Sequence, residues 1–198
     1  MTKSIDYYLT LVSPWAFLGH DRFVKIAEES GAKINVIPVN YGKIFSATGG
    51  LPLGKRSEQR RSYRLMELAR WREELNVPIN IHPKFFPASD LIAALMVTVV
   101  AQRGGDAIGL TGMFQRLVWI EDGNIADEAT AIEVANKAGL NGKELLTESQ
   151  APEIKALYEK NTDDAIARGV FGAPTYIIGD ELFWGQDRLQ FVEKALKK

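Results

Sequence analysis

The sequence predicts an α/β fold in which strands from both ends of the chain form one mixed sheet, with a block of helices inserted between them. Strand patterns occur only near the two ends of the chain. The long segment between them carries helical periodicity and no strand pattern. The predicted order is therefore a βαβ unit, an all-helical block and a ββα unit.

The N-terminal unit begins with a strand over Ile5 to Val12, which is rich in β-branched and aromatic residues. Ser13-Pro14 follows, a pair that suits a helix N-cap and the first helical residue. Apolar residues at three- and four-residue spacing continue this helix up to Gly31, a typical stop. Ile34 to Val39 predicts the second strand.

The segment from Gly42 to Gly54 is rich in Gly, Ser, Thr and Pro and predicts a loop. The helical patterns that follow cover Ser57 to Asn76, Ser89 to Arg103, Ile108 to Glu121, Asp127 to Ala138, Lys143 to Gln150, and a last segment between Pro152 and Gly169. We therefore predict a helical insertion domain over residues 42–169.

Strand signals return in Thr175 to Ile178 and Leu182 to Trp184, and Gly179-Asp180-Glu181 between them is typical of a hairpin. Asp187 then predicts the N-cap of a last helix from Arg188 to Lys198. Together with the N-terminal unit, these elements predict a discontinuous domain made of residues 1–41 and 170–198.

Composition excludes several function classes. Lys and Arg number 24 against 25 Asp and Glu, a net charge of −1, which excludes a polybasic nucleic-acid binder. Cysteine is absent, which excludes disulfides, thiolate metal sites and a cysteine nucleophile. The two histidines, His20 and His82, stand at unrelated positions, so we predict no metal site and surface or packing roles for both.

The N-terminus lacks the pattern of a secretory signal, and the longest apolar run, within residues 91–101, is too short to span a membrane. These features predict a cytoplasmic protein without membrane contact. A basic run at Lys55, Arg56, Arg60, Arg61 and Arg64 is interleaved with acidic residues and predicts a solvated helix face. Trp71 and Trp119 lie at helical spacing from apolar residues and are predicted to be core.

Three short segments have residues suited to ligand binding. Ser13 stands where helix N–H groups favour an anion, to which its hydroxyl can donate, and a simple N-cap is the compatible alternative that local sequence favours. A cis bond between Ala173 and Pro174 would leave the Ala173 backbone open to an extended ligand, and a trans proline opening an edge strand is the alternative. In Trp184-Gly185-Gln186-Asp187, the carboxylate of Asp187 suits a ligand ammonium, or is a plain N-cap.

Three stretches, SPWAFLG at 13–19, INIHPKFFP at 79–87 and VFGAPTYIIGDELFWGQDRL at 170–189, resemble the 2-hydroxychromene-2-carboxylate isomerase family. This family is a branch of the thioredoxin superfamily with a helical insertion, and it is related to kappa-class glutathione transferases. The resemblance covers essentially the whole chain. It implies that Ser13 to Ala16 takes the place of the CxxC dithiol, so that dithiol redox catalysis is absent.

The resemblance further implies a glutathione-dependent isomerase of 2-hydroxychromene-2-carboxylate or a similar aromatic 2-oxo acid. In that reaction the glutathione thiolate adds to the ring-opened acid, a bond rotates, and elimination gives the trans-benzylidenepyruvate. Ser13 takes the family's serine role as the catalytic residue beside the sulfur, where a hydroxyl hydrogen bond favours the thiolate. A homodimer is also implied.

By the same resemblance, glutathione is held by Ser13 and by the residues of the C-terminal motif, which are Ala173, Pro174, Trp184, Gly185, Gln186 and Asp187. Lys43 and Lys84 are the candidates for holding the small aromatic carboxylate. The family often has an asparagine near positions 48–55, where this chain reads Thr48-Gly49-Gly50-Leu51-Pro52.

Two other functions stay open on the sequence. One is a kappa-like glutathione transferase or peroxidase, which would conjugate an aryl halide or reduce a hydroperoxide. The other is a non-catalytic thioredoxin-like protein that binds peptides in the same groove. Failure to bind glutathione would favour the second.

Overall fold

One four-stranded sheet joins the two ends of the chain in the computed structural model, which describes residues 3–198. Its strands are β1 (Ser4–Leu9), β2 (Lys33–Pro38), β3 (Thr175–Ile178) and β4 (Glu181–Trp184), and their spatial order is β2-β1-β3-β4. β1 runs parallel to β2 and antiparallel to β3, and β3 and β4 form an antiparallel hairpin. The predicted mixed sheet is confirmed.

The helices in this part of the chain are α1 (Pro14–Glu29), α2 (Tyr41–Thr48), α3 (Glu58–Leu75), α4 (Leu91–Gln102), α5 (Ala107–Trp119), α6 (Glu128–Lys137), α7 (Gly142–Ser149), α8 (Pro152–Ala167) and α9 (Leu189–Leu196). Two 3-10 turns, Leu53–Lys55 and Gln186–Arg188, precede α3 and α9. No strand lies between residues 57 and 168, so the inserted block is helical, as predicted.

The predicted loop over Gly42 to Gly54 is wrong in its first half, which forms α2. The side chain of Asn40 caps this helix by accepting a hydrogen bond from the Lys43 N–H, at 3.2 Å. Ile44 is fully buried and supplies packing energy that local composition does not reveal. Tertiary burial thus outweighs the weak helix propensity of a segment rich in Gly, Ser and Thr.

The last helix also differs from the prediction. α9 begins at Leu189, and its N-cap position is Arg188, which makes no side-chain capping bond. Asp187 lies inside the preceding 3-10 turn and caps nothing. Its carboxylate therefore needs another explanation.

The core continues from the sheet into the inserted helices. Tyr7 of β1, Tyr176 of β3 and Phe23 of α1 form a fully buried aromatic cluster between the sheet and this helix. Their ring centroids are 4.5 to 5.3 Å apart. α4 is apolar on all sides because it packs against β2, α5, α7 and α8. The division into two domains stays a prediction, and Met1 and Thr2 lie outside the described residues.

Trp119 is fully buried, as predicted. The two histidines have the predicted packing and surface roles, since His20 is 7 % exposed and His82 lies at the surface. Residues 3–198 contain no group of three or more His, Asp or Glu side chains arranged to hold a metal. None of the helices in that range combines the length and apolar character needed to cross a membrane.

Candidate functional site

A cavity of about 620 Å³ lies where the C-terminal motif meets α1 and α3. This volume is within the range of small-molecule sites. The predicted site residues that line it are Trp15, Ala173, Trp184, Gly185, Gln186 and Asp187, although Trp15 was predicted only as part of the Ser13 segment. Arg188 also lines the cavity. The rest of the wall is formed by α3 and the segment before it, through Arg56, Gln59, Arg60, Tyr63, Arg64, Glu67 and Trp71.

Ser13 is the N-cap of α1, as predicted, and is 7 % exposed. Its Oγ accepts a hydrogen bond from the Ala16 N–H at 3.2 Å, but its hydroxyl proton has no acceptor in the described part of the chain. Ser13 does not itself line the cavity, whereas Trp15, two residues later, does. The Ser13 side chain can therefore cap the helix through its oxygen and still donate its hydroxyl proton to an anion.

The loop that carries Ser13 is fixed by Asp90, at the start of α4. Asp90 Oδ2 accepts hydrogen bonds from the Thr10 hydroxyl at 2.5 Å and from the Leu11 N–H at 2.8 Å. Burial nevertheless raises the pKa of this carboxyl above its ordinary value. Asp90 is thus a positioning residue that sequence reasoning missed, because 79 or 80 residues separate the partners.

We expect Asp90→Ala to lower the free energy of unfolding by about 2 to 4 kcal/mol, because two donors lose their acceptor. Asp90→Asn is expected to cost less than half as much, since an amide oxygen still accepts both bonds and carries no charge to bury. Urea denaturation of both variants measures the difference. Equal losses would show that the loop does not depend on these hydrogen bonds.

The Ala173–Pro174 bond is cis, as the ligand-binding interpretation expects. The carbonyl of Gly172 accepts hydrogen bonds from the Tyr41 hydroxyl at 2.9 Å and the Thr175 hydroxyl at 2.6 Å, and the Gly185 N–H donates to the Pro174 carbonyl at 2.9 Å. The N–H and C=O of Ala173 itself have no partner within residues 3–198. Hydrogen bonds therefore fix the loop at Gly172 and at Pro174. Ala173 between them lines the cavity, and its backbone N–H and C=O stay available to a ligand.

Gly185 turns the chain from β4 into the 3-10 turn with φ of 101°, a conformation that other residues rarely adopt. An added Cβ there would lie 2.5 Å from Asp187 Oδ1, so the glycine makes room for that carboxylate. Asp187 lines the cavity and pairs with the Arg188 guanidinium at 2.6 Å. Gln186 is 2 % exposed, and its side-chain oxygen is held by Arg22.

Trp184 forms an apolar wall beside these polar groups. Its side chain is 50 % exposed and packs against Phe171, with ring centroids 4.8 Å apart. Its indole also lies over Gly172, where an added Cβ would be 2.3 Å from Nε1. An exposed tryptophan held in this way offers a flat apolar surface to a ligand.

The DsbA-like thioredoxin domain model matches residues 4–197. The chain belongs to this family. It is 29 % identical to the 2-hydroxychromene-2-carboxylate isomerase of Sphingobium xenophagum over 99 % of both chains. It is also similar to glutathione S-transferase kappa 1 of Rattus norvegicus, at 20 % identity over 98 % of this chain and 91 % of the relative.

A solved structure of a 2-hydroxychromene-2-carboxylate isomerase superimposes with a TM-score of 0.82. The identity is 25 %, over 98 % of this chain and 94 % of that one. The fold and the family predicted from the sequence are therefore confirmed. With no cysteine, this DsbA-like chain has no dithiol of its own.

The two lysines expected to hold a substrate carboxylate do not line the cavity. The Lys43 ammonium, on α2, pairs with Asp163 at 2.7 Å and Glu159 at 3.3 Å. Lys84 extends over the Phe85 ring, 5.0 Å from its centroid. Neither lysine therefore contributes positive charge to the wall of this cavity.

Three arginines of the basic run that was predicted to be a solvated helix face line the cavity. Arg60 and Arg64 are four residues apart, which places them on one side of α3, and Arg56 lines the same cavity from the segment before the helix. Trp71, predicted to be core, is half-buried and lines the cavity seven residues after Arg64. The spacing was visible in the sequence, but nothing local indicates that this face meets the C-terminal motif.

Four arginines and two carboxylates line the cavity, which gives its wall a net charge of +2. Glu67 and Asp187 are paired with Arg70 and Arg188. Arg64 has no ion-pair partner in residues 3–198, and burial, followed by the neighbouring charge of Arg56, lowers its pKa to about 10. A desolvated cation in a cavity favours an anionic ligand.

Proposed function

We propose that this protein is a glutathione-dependent isomerase that converts 2-hydroxychromene-2-carboxylate or a similar aromatic 2-oxo acid to the trans-benzylidenepyruvate. The observation that carries the proposal is the open backbone of Ala173 in one cavity with the carboxylate of Asp187. Relatives named as isomerases of that acid, similar over nearly the full chain, support an isomerase.

The residues at this end of the cavity fit glutathione. An extended tripeptide pairs its backbone with an unoccupied N–H and C=O, which Ala173 offers. The γ-glutamyl ammonium requires a carboxylate, which Asp187 supplies beside the turn at Gly185. Gln186 braces this turn through Arg22, and Trp184 lines the cavity beside it. Pro174, also predicted to hold glutathione, does not line the cavity.

Glutathione, when bound, supplies the thiolate whose reversible addition to the conjugated oxo acid allows the bond to rotate. The Ser13 hydroxyl would donate toward that sulfur, and the N-terminus of α1 would add positive potential. Both favour the charged sulfur, so both lower its pKa. Trp15, Tyr63 and Trp71 offer aromatic surfaces for the ring of the acid.

A kappa-like glutathione transferase is the second candidate, favoured by the similarity to the kappa-class relative. The same residues would then hold glutathione, but it would be consumed in a conjugate. The homodimer and the cytoplasmic location stay predictions. A peptide-binding protein without catalysis would share the open Ala173 backbone but would not bind glutathione.

Calorimetric titration with glutathione tests the binding half of the proposal. We expect Asp187→Asn to weaken binding by about tenfold, because a charged hydrogen bond contributes about 1.5 kcal/mol or more. Asp180→Asn, in the exposed β3–β4 turn, is the matched control and should bind like the wild type. Equal affinity of all three proteins would show that Asp187 does not bind glutathione. Absence of glutathione binding to the wild type would refute glutathione as the cofactor.

A further inference from the structure

We propose that Arg64, together with Arg56, binds the carboxylate of the acid and makes the cavity select aromatic acids over neutral aromatic compounds. The identity of the acid rests on the proposed function, whereas the selectivity for an anion rests on the arginines themselves. These residues come from α3 and the turn before it, a different wall from Ala173 and Asp187.

Arg64 is a cation for which the described chain supplies no counter-charge. Its Nη2 is buried and makes no hydrogen bond, and its guanidinium lies over the Phe86 ring, 5.2 Å from the centroid. The cation–π contact stabilises the charge but leaves the donor open. An unsatisfied buried donor costs free energy, so an anion that accepts a hydrogen bond from Arg64 would be stabilised here.

Arg56 places a second positive charge near Arg64. Its Nε donates to the Leu51 carbonyl at 2.8 Å, which fixes the side chain, and none of the ion pairs within residues 3–198 involves it. Each guanidinium disfavours the other unless an anion lies between them, and a carboxylate accepts from two guanidiniums with good geometry. The adjacent Glu67 does not neutralise them because it pairs with Arg70.

The surrounding surface indicates what kind of anion fits. Tyr63 and Trp71 lie on the same helix face, and Trp15 lines the cavity from α1. Flat aromatic walls beside a pair of guanidiniums suit an acid whose carboxylate is attached to a conjugated aromatic body. A small inorganic anion would leave these walls exposed to water.

The test compares trans-cinnamate with its neutral amide, cinnamamide, as unreactive probes in the absence of glutathione. Binding is measured by calorimetry, with quenching of tryptophan fluorescence as a second readout. The wild type is expected to bind cinnamate in preference to cinnamamide. Arg64→Gln should weaken the binding of cinnamate by roughly tenfold to a hundredfold and leave the affinity for cinnamamide unchanged. Arg72→Gln, at an exposed position of the same helix, is the control and should change neither.

Arg64→Lys should recover part of the cinnamate affinity, because it restores the charge without the planar donors. Arg56→Gln gives a second variant if Arg64→Gln does not fold, and it should lower cinnamate affinity in the same direction. Unchanged cinnamate binding, or equal loss of both probes, would overturn the proposal. Loss of glutathione binding with cinnamate unaffected would also overturn it and assign the arginines to the tripeptide.

The two proposals fail separately in this design. A wild type that binds cinnamate through Arg64 but shows no heat with glutathione would refute the glutathione-dependent function and leave the arginine site intact. A wild type that binds glutathione but no cinnamate would refute the arginine site and leave the glutathione-dependent function intact.

Discussion

Replacement of Ser13 by alanine is expected to raise the thiol pKa of bound glutathione by about one unit and to slow isomerisation at neutral pH by about tenfold. The reason is that the Ser13 hydroxyl proton has no acceptor in residues 3–198 and is available to the sulfur. A raised thiol pKa leaves less thiolate at neutral pH. The rate deficit should therefore shrink as the pH rises past the higher pKa of the variant.

Thiolate absorbance against pH measures this shift, and a pH–rate profile measures its consequence. The variant also loses an N-cap, which costs about 1 kcal/mol of unfolding free energy. Asn141→Ala removes the N-cap of α7, away from the cavity, and is the control for that loss. If Ser13→Ala keeps the wild-type thiol pKa and full neutral activity, Ser13 is only a cap.

Gly185→Ala is expected to weaken glutathione binding by at least about tenfold, with a loss of unfolding free energy of about 1 to 3 kcal/mol. The backbone at φ of 101° strains any side chain, and the new Cβ would meet Asp187 Oδ1 at 2.5 Å. The carboxylate must move away from its position in the cavity wall. Calorimetry with glutathione and urea denaturation separate the two effects.

Gly179→Ala is the matched control for backbone strain. Gly179, in the hairpin turn, also has a positive φ of 59°, but an added Cβ there meets nothing within 4 Å. We expect this variant to lose stability and to keep wild-type glutathione affinity. Equal losses of affinity in both glycine variants would mean that general destabilisation, and not the displaced carboxylate, explains the effect.

The parts of the fold that were predicted well have strong local signals. α3 begins after Ser57, whose Oγ caps it, and ends at Asn76 in the left-handed conformation, the boundaries that the sequence indicates. The β3–β4 hairpin follows from alternating strand residues around Gly179. In each case the physical cause lies within a few residues of its effect.

The parts that were missed depend on distant contacts. α2 forms because Ile44 is buried, and the Ser13 loop is fixed by Asp90, far along the chain. Arg64 was interpreted as solvated because helical spacing identifies a face but not its neighbour. The candidate glutathione residues could be predicted because they lie in two short motifs. Arg56, Arg60 and Arg64 line the same cavity only because α3 packs beside those motifs.

The most direct test of the central claim is the conversion of 2-hydroxychromene-2-carboxylate, followed by absorbance with and without glutathione while free thiol is counted. We predict rapid formation of the trans-benzylidenepyruvate only when glutathione is present, with the thiol count unchanged at the end of the reaction. Turnover that persists after glutathione is removed, or thiol lost in proportion to product, would contradict a glutathione-dependent isomerase.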